Sequence, residues 1–428
     1  MDRREMIAGL GGALTVGLAG ARHGPGQRAP TIAQPAAFPR KADFRIEPRV
    51  TYLNAAFTHP IPLVAVDAAR RAAEARGTLR PAAPPTGRGG VPGAPNPRAQ
   101  FAALIGAKPT EVAYVSSTSA GENLVVRALG LDHRRDGNVV TDGLHFEGAL
   151  MHLAELGKRG LDVRVVPPSA DGRVTLGALD RVIDRNTRLV QVSAVAMYNG
   201  FRHDLKAICD LAHSRGAMVY ADVVHLVGAA PFQVRESGVD FAATSSFKWL
   251  MGDFGLGFLY VSEAALDRIE RPVVGYYQAP SLHAHYPPFG FAPGASDYRA
   301  VTYDIPRTAA GMFEMGTLTG STEVNVALLA ASLGYVQTLG PAAIHAHRLP
   351  LLERLQDEVP KLGFRAMTPR EDMVGVVTFA REHLGSSDVA GRLLAAGVNV
   401  RLADHWMRVS PSVYNDMEDV ERLLAALK

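Results

Sequence analysis

The possible folds of this chain are restricted most by a series of short apolar runs that end in residues able to do chemistry. In Gly216-Ala217-Met218-Val219-Tyr220-Ala221-Asp222 the run 218–221 reads as a buried parallel strand, with Asp222 standing at its carboxyl end. Residues 138–141, 163–166 and 189–195 read as further strands, and residues 111–115 alternate as a strand does. Helical stretches such as 148–158 separate them. This alternation predicts an α/β architecture. In open α/β sheets, ligands bind beyond the carboxyl ends of the strands, so the end of each run is where function is sought.

One such end carries an unusual lysine. In Ala243-Thr244-Ser245-Ser246-Phe247-Lys248-Trp249-Leu250-Met251-Gly252 a charged amine is wedged between two large aromatic residues. Lost hydration lowers an amine's pKa toward its neutral, nucleophilic form, which a Schiff-base lysine requires. The competing reading is a lysine whose stem covers apolar surface while its ammonium reaches water. Asp222, 26 residues earlier, tips the balance. A carboxylate and a lysine so placed match the pair that pyridoxal phosphate (PLP) needs: the lysine for the aldehyde, the acid for the pyridine nitrogen. A lone aspartate is otherwise an ordinary helix cap or loop acid.

A third element suits an anion. Ser116-Ser117-Thr118-Ser119-Ala120-Gly121-Glu122-Asn123 follows the strand at 111–115 and opens an apolar periodic stretch, 124–129. Small hydroxyl residues at a helix start leave N–H groups free for a phosphate, which the helix dipole also favours. Ser119 and Glu122 have capping-box spacing, so a plain helix start explains the segment as well.

Together these segments resemble the class V aminotransferase family of fold-type-I PLP enzymes, in its isopenicillin N epimerase-like and cysteine desulfurase-like branch. The resemblance runs from about Tyr52 to the C-terminus and is strongest over 193–228 and 244–261. It implies a mostly parallel sheet in a large domain and a smaller α+β C-terminal domain. It also implies roles position by position. Thr118, Ser119 and Ser245 match phosphate-binding residues. His145, in Asp142-Gly143-Leu144-His145-Phe146, matches the residue stacked on the cofactor ring, with Phe146 as competitor if the register slips. His225 matches a donor to the ring's phenolic oxygen. Thr317, in Phe313-Glu314-Met315-Gly316-Thr317, matches a phosphate contact made across a dimer, which implies a homodimer with shared active sites. Arg408, in Trp406-Met407-Arg408-Val409-Ser410-Pro411, matches the arginine that takes the substrate carboxylate, a bidentate task for a planar guanidinium. Arg401 is close enough for a second anion contact or is a surface arginine. Asn54, in Tyr52-Leu53-Asn54-Ala55-Ala56, matches a substrate-side position.

Two departures from the family pattern bear on the reaction. The stretch Arg401-Leu402-Ala403-Asp404-His405-Trp406 lacks the nucleophilic cysteine of the desulfurases, and the only cysteine, Cys209, sits in an amphipathic helical stretch. Ala196 and Met197 stand where relatives place cofactor-touching Gln or Asn, with Tyr198 or Asn199 as candidates to compensate.

The rest of the chain bounds the class. Its 428 residues, 47% hydrophobic, support a large core and two domains, expected at 45–315 and 316–428. A formal charge of +3 without a basic run makes nucleic acid a poor partner. No metal motif appears, and His283 and His285 read as exposed loop residues rather than ligands. Asp2-Arg3-Arg4-Glu5-Met6-Ile7, an apolar glycine-rich run and Ala19-Gly20-Ala21 read as a twin-arginine signal over 1–21, with a linker over 22–44. A periplasmic or otherwise exported bacterial enzyme is expected, without a stable membrane anchor once the signal is cleaved. The expected activity is PLP-dependent chemistry at the α-carbon of an amino-acid-like substrate, most simply of the aminotransferase kind. Epimerisation, C–S or β-elimination without an enzyme cysteine, and tailoring of a periplasmic siderophore peptide stay open. So does a different class, a cofactor-free binding scaffold.

Overall fold

Seven strands build the central sheet of the computed structural model: β1 (Val112–Val115), β2 (Asn138–Asp142), β3 (Asp162–Val166), β4 (Thr187–Ser193), β5 (Met218–Asp222), β6 (Phe241–Ser245) and β7 (Gly257–Val261). The structure describes residues 37–78, 96–133, 136–275, 278–279, 281–284, 301–316, 323–371 and 373–428. The sheet order is β1-β7-β6-β5-β4-β2-β3. Only β7 runs against its neighbours, so β1, β2, β4, β5 and β6 all end on one edge.

Why these runs are strands is visible in their burial. Along β5 every residue is buried, and successive side chains enter different cores. Val219 and Ala221 join the cluster on one face of the sheet, Met218 and Tyr220 that on the other. A sheet covered on both faces selects apolar residues at every position. α1 (Leu63–Gly77) precedes the helices that cover the sheet, among them α2 (Pro97–Leu104), α3 (Thr118–Ala128), α4 (Glu147–Lys158) and α5 (Leu205–Ser214). On α5, Leu205, Ile208, Cys209 and Ala212 form the buried stripe, and Asp204 caps the helix by accepting from Ala207 N–H at 3.0 Å.

A second sheet lies toward the C-terminus. α6 (Glu323–Leu339) packs on α1 and α2, and α7 (Pro341–Glu358) follows it. Strands β8 (Arg365–Ala366), β9 (Val377–Ala380), β10 (Arg401–Leu402) and β11 (Trp406–Val409) are antiparallel in the order β8-β9-β11-β10. With α7, α8 (Val389–Ala395) and α9 (Met417–Leu427) they enclose a third apolar cluster that includes Met407, Val409 and Leu423.

The stretch 37–44, read from sequence as the end of a linker, is instead packed. Phe44 is buried, and its ring meets His59, Tyr335 and Tyr414 at centroid distances of 5.6, 6.0 and 5.1 Å. Arg40 N–H donates to Val413 O at 2.7 Å, and Lys41 pairs with Asp416 at 2.6 Å. Composition alone misjudged this stretch, because its partners lie some three hundred residues away. Residues 1–21, read from sequence as a signal, fall outside the described residues. Among the described residues no single helix is long and apolar enough to cross a membrane.

Candidate active site

β6 ends at Ser245, and the chain turns back tightly before β7 begins. Ser246 N–H donates to Leu256 O at 3.0 Å, Met251 N–H to Lys248 O at 2.8 Å and Gly252 N–H to Ser246 O at 2.9 Å. Met251 takes a left-handed φ of 57°, an uncommon conformation for a residue with a side chain. Trp249 and Leu250 anchor this turn in the core. Lys248 is carried between them and Phe247, which stacks on Phe254 at 4.1 Å. Burial pushes the Lys248 amine down to about 8; the charge of Asp222 opposes this and that of Arg408 adds to it. The snorkelling alternative fails, since the amine turns inward, with Nζ 3.1 Å from His225 Nε2.

Asp222 ends β5, as its sequence position predicted. One carboxylate oxygen accepts from Val224 N–H at 2.9 Å. Burial raises its pKa; the Val224 N–H and the charges of His145 and Lys248 pull the other way. Among the described residues it has no cation within ion-pair distance. His225 is held in the turn that follows, buried, and burial pushes its pKa well below the ordinary value, with Lys248 and Arg408 adding to the effect. Sequence reasoning missed its second partner: Trp249 Nε1–H donates to His225 Nδ1 at 3.4 Å.

The anion end is formed by α3. Its cap is Ser117, which accepts from Ala120 N–H at 3.1 Å, rather than Ser119. Glu122 therefore makes no capping box. It is buried inside, with carboxylate oxygens 3.8 Å from His145 Nε2 and 3.7 Å from His152 Nδ1. Thr118 N–H donates to Ser245 Oγ at 3.0 Å, and the two hydroxyl oxygens lie 3.1 Å apart. Helix start and β6 end are thus clasped together, and Thr118, Ser119 and Ser245 line one cavity with Asp222, His225 and Lys248.

His145 is buried one layer behind, with Nδ1 2.9 Å from Ser193 Oγ. Phe146, the competing residue, lines the cavity itself, as does Ser193, to which sequence reasoning assigned no role.

Arg408, on β11, is not part of that lining and meets it through Met197. It is buried, its Nη1 donates to Met197 O at 3.2 Å, and its Nε has no partner. Among the described residues no carboxylate pairs with it. Burial, helped by Arg401, pushes its pKa down to about 10. Arg401 itself is exposed, 5.7 Å over the Phe57 ring. Asn54 bridges to Ser410 and donates to Asn399 Oδ1 at 3.2 Å, leaving its own Oδ1 unpartnered. Asn199 does not compensate for Ala196 and Met197. Its amide donates to Gly172 O at 2.6 Å and its oxygen accepts from Phe201 N–H, so it ties down the loop. Tyr198 is exposed and meets Trp406 edge-on at 5.7 Å. Met197 is the residue that reaches the cavity.

Cys209 is buried on α5, and burial pushes its thiol upward. Thr317 and His285 lie outside the described residues, and His283 sits in a strand, Ser281–Ala284, whose side chains are not described. Among the described residues no group of His, Cys, Asp or Glu is placed to hold a metal.

The cavity therefore offers a depressed amine, a carboxylate with no cation partner among the described residues, and a helix start lined by Thr118, Ser119 and Ser245. These are the three contacts that PLP needs for its aldehyde, ring nitrogen and phosphate, so the residues fit that group. Comparison with known proteins agrees. The family model described as aminotransferase class-V matches residues 93–423. A probable cysteine desulfurase of Methanothermobacter thermautotrophicus is 28% identical over 344 residues, covering 76% of this chain and 80% of that protein. Among solved structures, the apo cysteine desulfurase of Thermococcus onnurineus superposes with a TM-score of 0.76 at 23% identity, covering 91% of this chain and 97% of the other. A cystine C-S lyase in complex with cysteine persulfide does so with a TM-score of 0.73 at 20% identity, covering 88% and 97%. At those identities the structural matches speak for the fold.

Proposed function

Because the chain belongs to the class-V aminotransferase family, we propose that it is a PLP-dependent enzyme working at the α-carbon of an amino acid or of an amine that carries a carboxylate. One observation carries this: an inward-turned lysine amine lining the same cavity as the strand-end carboxylate of Asp222. The cofactor, when bound, supplies a ring that accepts the electrons left when a bond to the α-carbon breaks. Lys248 would supply the amine that tethers the cofactor and the base that moves the substrate's α-proton. Asp222 keeps the ring nitrogen protonated. Thr118, Ser119 and Ser245 would hold the phosphate, and Phe146 would cover the ring with His145 behind it. The unpaired guanidinium of Arg408 takes the substrate carboxylate and fixes which bond faces the base, with Asn54 beside it.

A second reading draws on the relatives, which are cysteine desulfurases by name. A persulfide on an enzyme cysteine is not supported, since Cys209 is buried on α5 away from the cavity lining. C–S cleavage in which sulfur leaves on the substrate's own fragment needs only the residues above. Export by a twin-arginine signal and a homodimer that shares a phosphate contact through Thr317 extend the proposal. Fractionation of cells and sedimentation of the purified protein test them.

The visible spectrum of the PLP-loaded protein tests the main reading. A band present in wild type and absent in Lys248→Ala is expected. Bleaching by an amino acid with recovery on adding a keto acid marks a transaminase. Spontaneous recovery with release of pyruvate and ammonia marks a lyase, and with an inverted stereocentre an epimerase. A wild-type protein without a band would sink the enzyme reading and revive the binding scaffold.

A further inference from the structure

The contact between Trp249 and His225 decides where a proton sits. An indole N–H can only donate. Since Trp249 Nε1–H donates to His225 Nδ1, that nitrogen must be bare, and a neutral imidazole then carries its proton on Nε2. Nε2 lies 3.1 Å from Lys248 Nζ. Facing an ammonium, an Nε2–H would oppose one donor to another. Facing a neutral amine, it finds a lone pair.

Trp249 is itself held from the far side. Arg348, on α7, is fully buried, with its guanidinium carbon 4.5 Å from the Trp249 ring centroid. Among the described residues it has no carboxylate partner. Its Nη2 donates to Val374 O at 2.9 Å and to Ala229 O, while Nε and Nη1 have no acceptor. Gly375 leaves the necessary room, because a Cβ there would lie 2.6 Å from Nη1. A cation over an indole face is attracted by the ring and makes its N–H a stronger donor. Among the described residues, the other charged or titratable groups facing this series are Asp222 and Arg408 around Lys248, His59 beside Trp249, and His59, His345, His347 and Tyr414 around Arg348.

We propose that Trp249 is a positioning residue: its N–H, aimed by Arg348, fixes His225 as an Nε2–H donor and so keeps Lys248 in the neutral form that captures the cofactor. The proposal rests on the reading of Lys248 as the cofactor lysine. Once the cofactor occupies the site, the same Nε2–H is free to serve an acceptor on it.

The test uses the apoprotein with ¹⁵N-labelled histidine, the His225 signals being assigned by their loss in His225→Gln. Wild type is expected to show a bare Nδ1 and a protonated Nε2. Trp249→Phe keeps a ring over Arg348 and removes only the donor. It should move the proton toward Nδ1 and raise the Lys248 titration midpoint, followed by competitive acetylation, by about one pH unit, or tenfold less neutral amine at a given pH. A protonated Nδ1 in wild type would overturn the proposal, and that measurement stands even if the variant does not fold. An unchanged tautomer and midpoint in folded Trp249→Phe would overturn it too. Neither readout needs bound cofactor, so a missing visible band would count against the enzyme reading and not against this one.

Discussion

At Arg408 the structure buries a guanidinium that pairs with no acid among the described residues. Such a charge is costly unless something compensates it, and among the described residues the Met197 carbonyl is its hydrogen-bond partner. A substrate carboxylate that reached it would meet a donor already stripped of water. Lysine at this position keeps the charge but loses the planar pair of N–H groups. Arg408→Lys should therefore raise KM for the amino acid by about 10- to 100-fold, the worth of one charge-assisted hydrogen bond, with a smaller fall in kcat. Steady-state kinetics on the active substrate checks this, and an unchanged KM would remove Arg408 from the substrate site. Residues of this kind were legible in sequence because their chemistry is unusual where they stand: a lysine between aromatics, an acid ending an apolar run. Asn199 was misread for the opposite reason. An amide can serve a ligand or a loop equally well, and only Gly172 and Phe201, brought close by the fold, show that it serves the loop.

Among elements, the two turns after β5 and β6 are built as a unit. Gly228, with φ +84°, closes the first turn, and a Cβ added there would sit 2.4 Å from Trp249 O in the second. Gly228→Ala therefore meets both a left-handed backbone and a fixed carbonyl. It should cost about 1–3 kcal/mol and loosen cofactor binding, because the displaced carbonyl belongs to the residue after Lys248. Gly216 is the control. It has φ +85° with nothing within 4 Å of the added Cβ, so Gly216→Ala should cost only the backbone term, about 1–2 kcal/mol, and spare the cofactor. Denaturant midpoints and cofactor retention on dialysis separate the two; equal retention would mean the turns are not coupled. The strands and helices themselves were readable from sequence to within a residue or two, as at 218–222 and 147–158, because burial on both sheet faces leaves a continuous apolar signature. The start of α3 was not. Ser119 and Glu122 have the spacing of a capping box, yet Glu122 is buried near His145 and His152, and Ser117 caps two residues earlier.

Across the whole molecule, the proposed site combines a lysine and an acid from the large sheet with an arginine from the small one, so its function would need the two sheets to hold their register. The amino-terminal strap helps to hold it. Residues 51–52 pair with Val398–Asn399, Asn54 bridges to Ser410, and Phe44 fills a pocket between Tyr335 on α6 and Tyr414 near the C-terminus. Two kinds of contact fasten the strap, apolar at Phe44 and ionic at Lys41. Lys41 is half-exposed, so its pairs with Asp416 and Asp419 are screened by water. Phe44 is buried, and truncating it leaves a cavity lined by rings that cannot collapse into it. Phe44→Ala should therefore cost about 3 kcal/mol, and Lys41→Ala less than about 1 kcal/mol. Urea unfolding should show a lowered midpoint for the first with an unchanged slope, and little change for the second. If Lys41→Ala cost as much as Phe44→Ala, charge rather than apolar burial would be fastening the strap, and its hold on the small sheet would weaken with salt. With apolar burial in charge, the Phe44→Ala deficit persists at high salt.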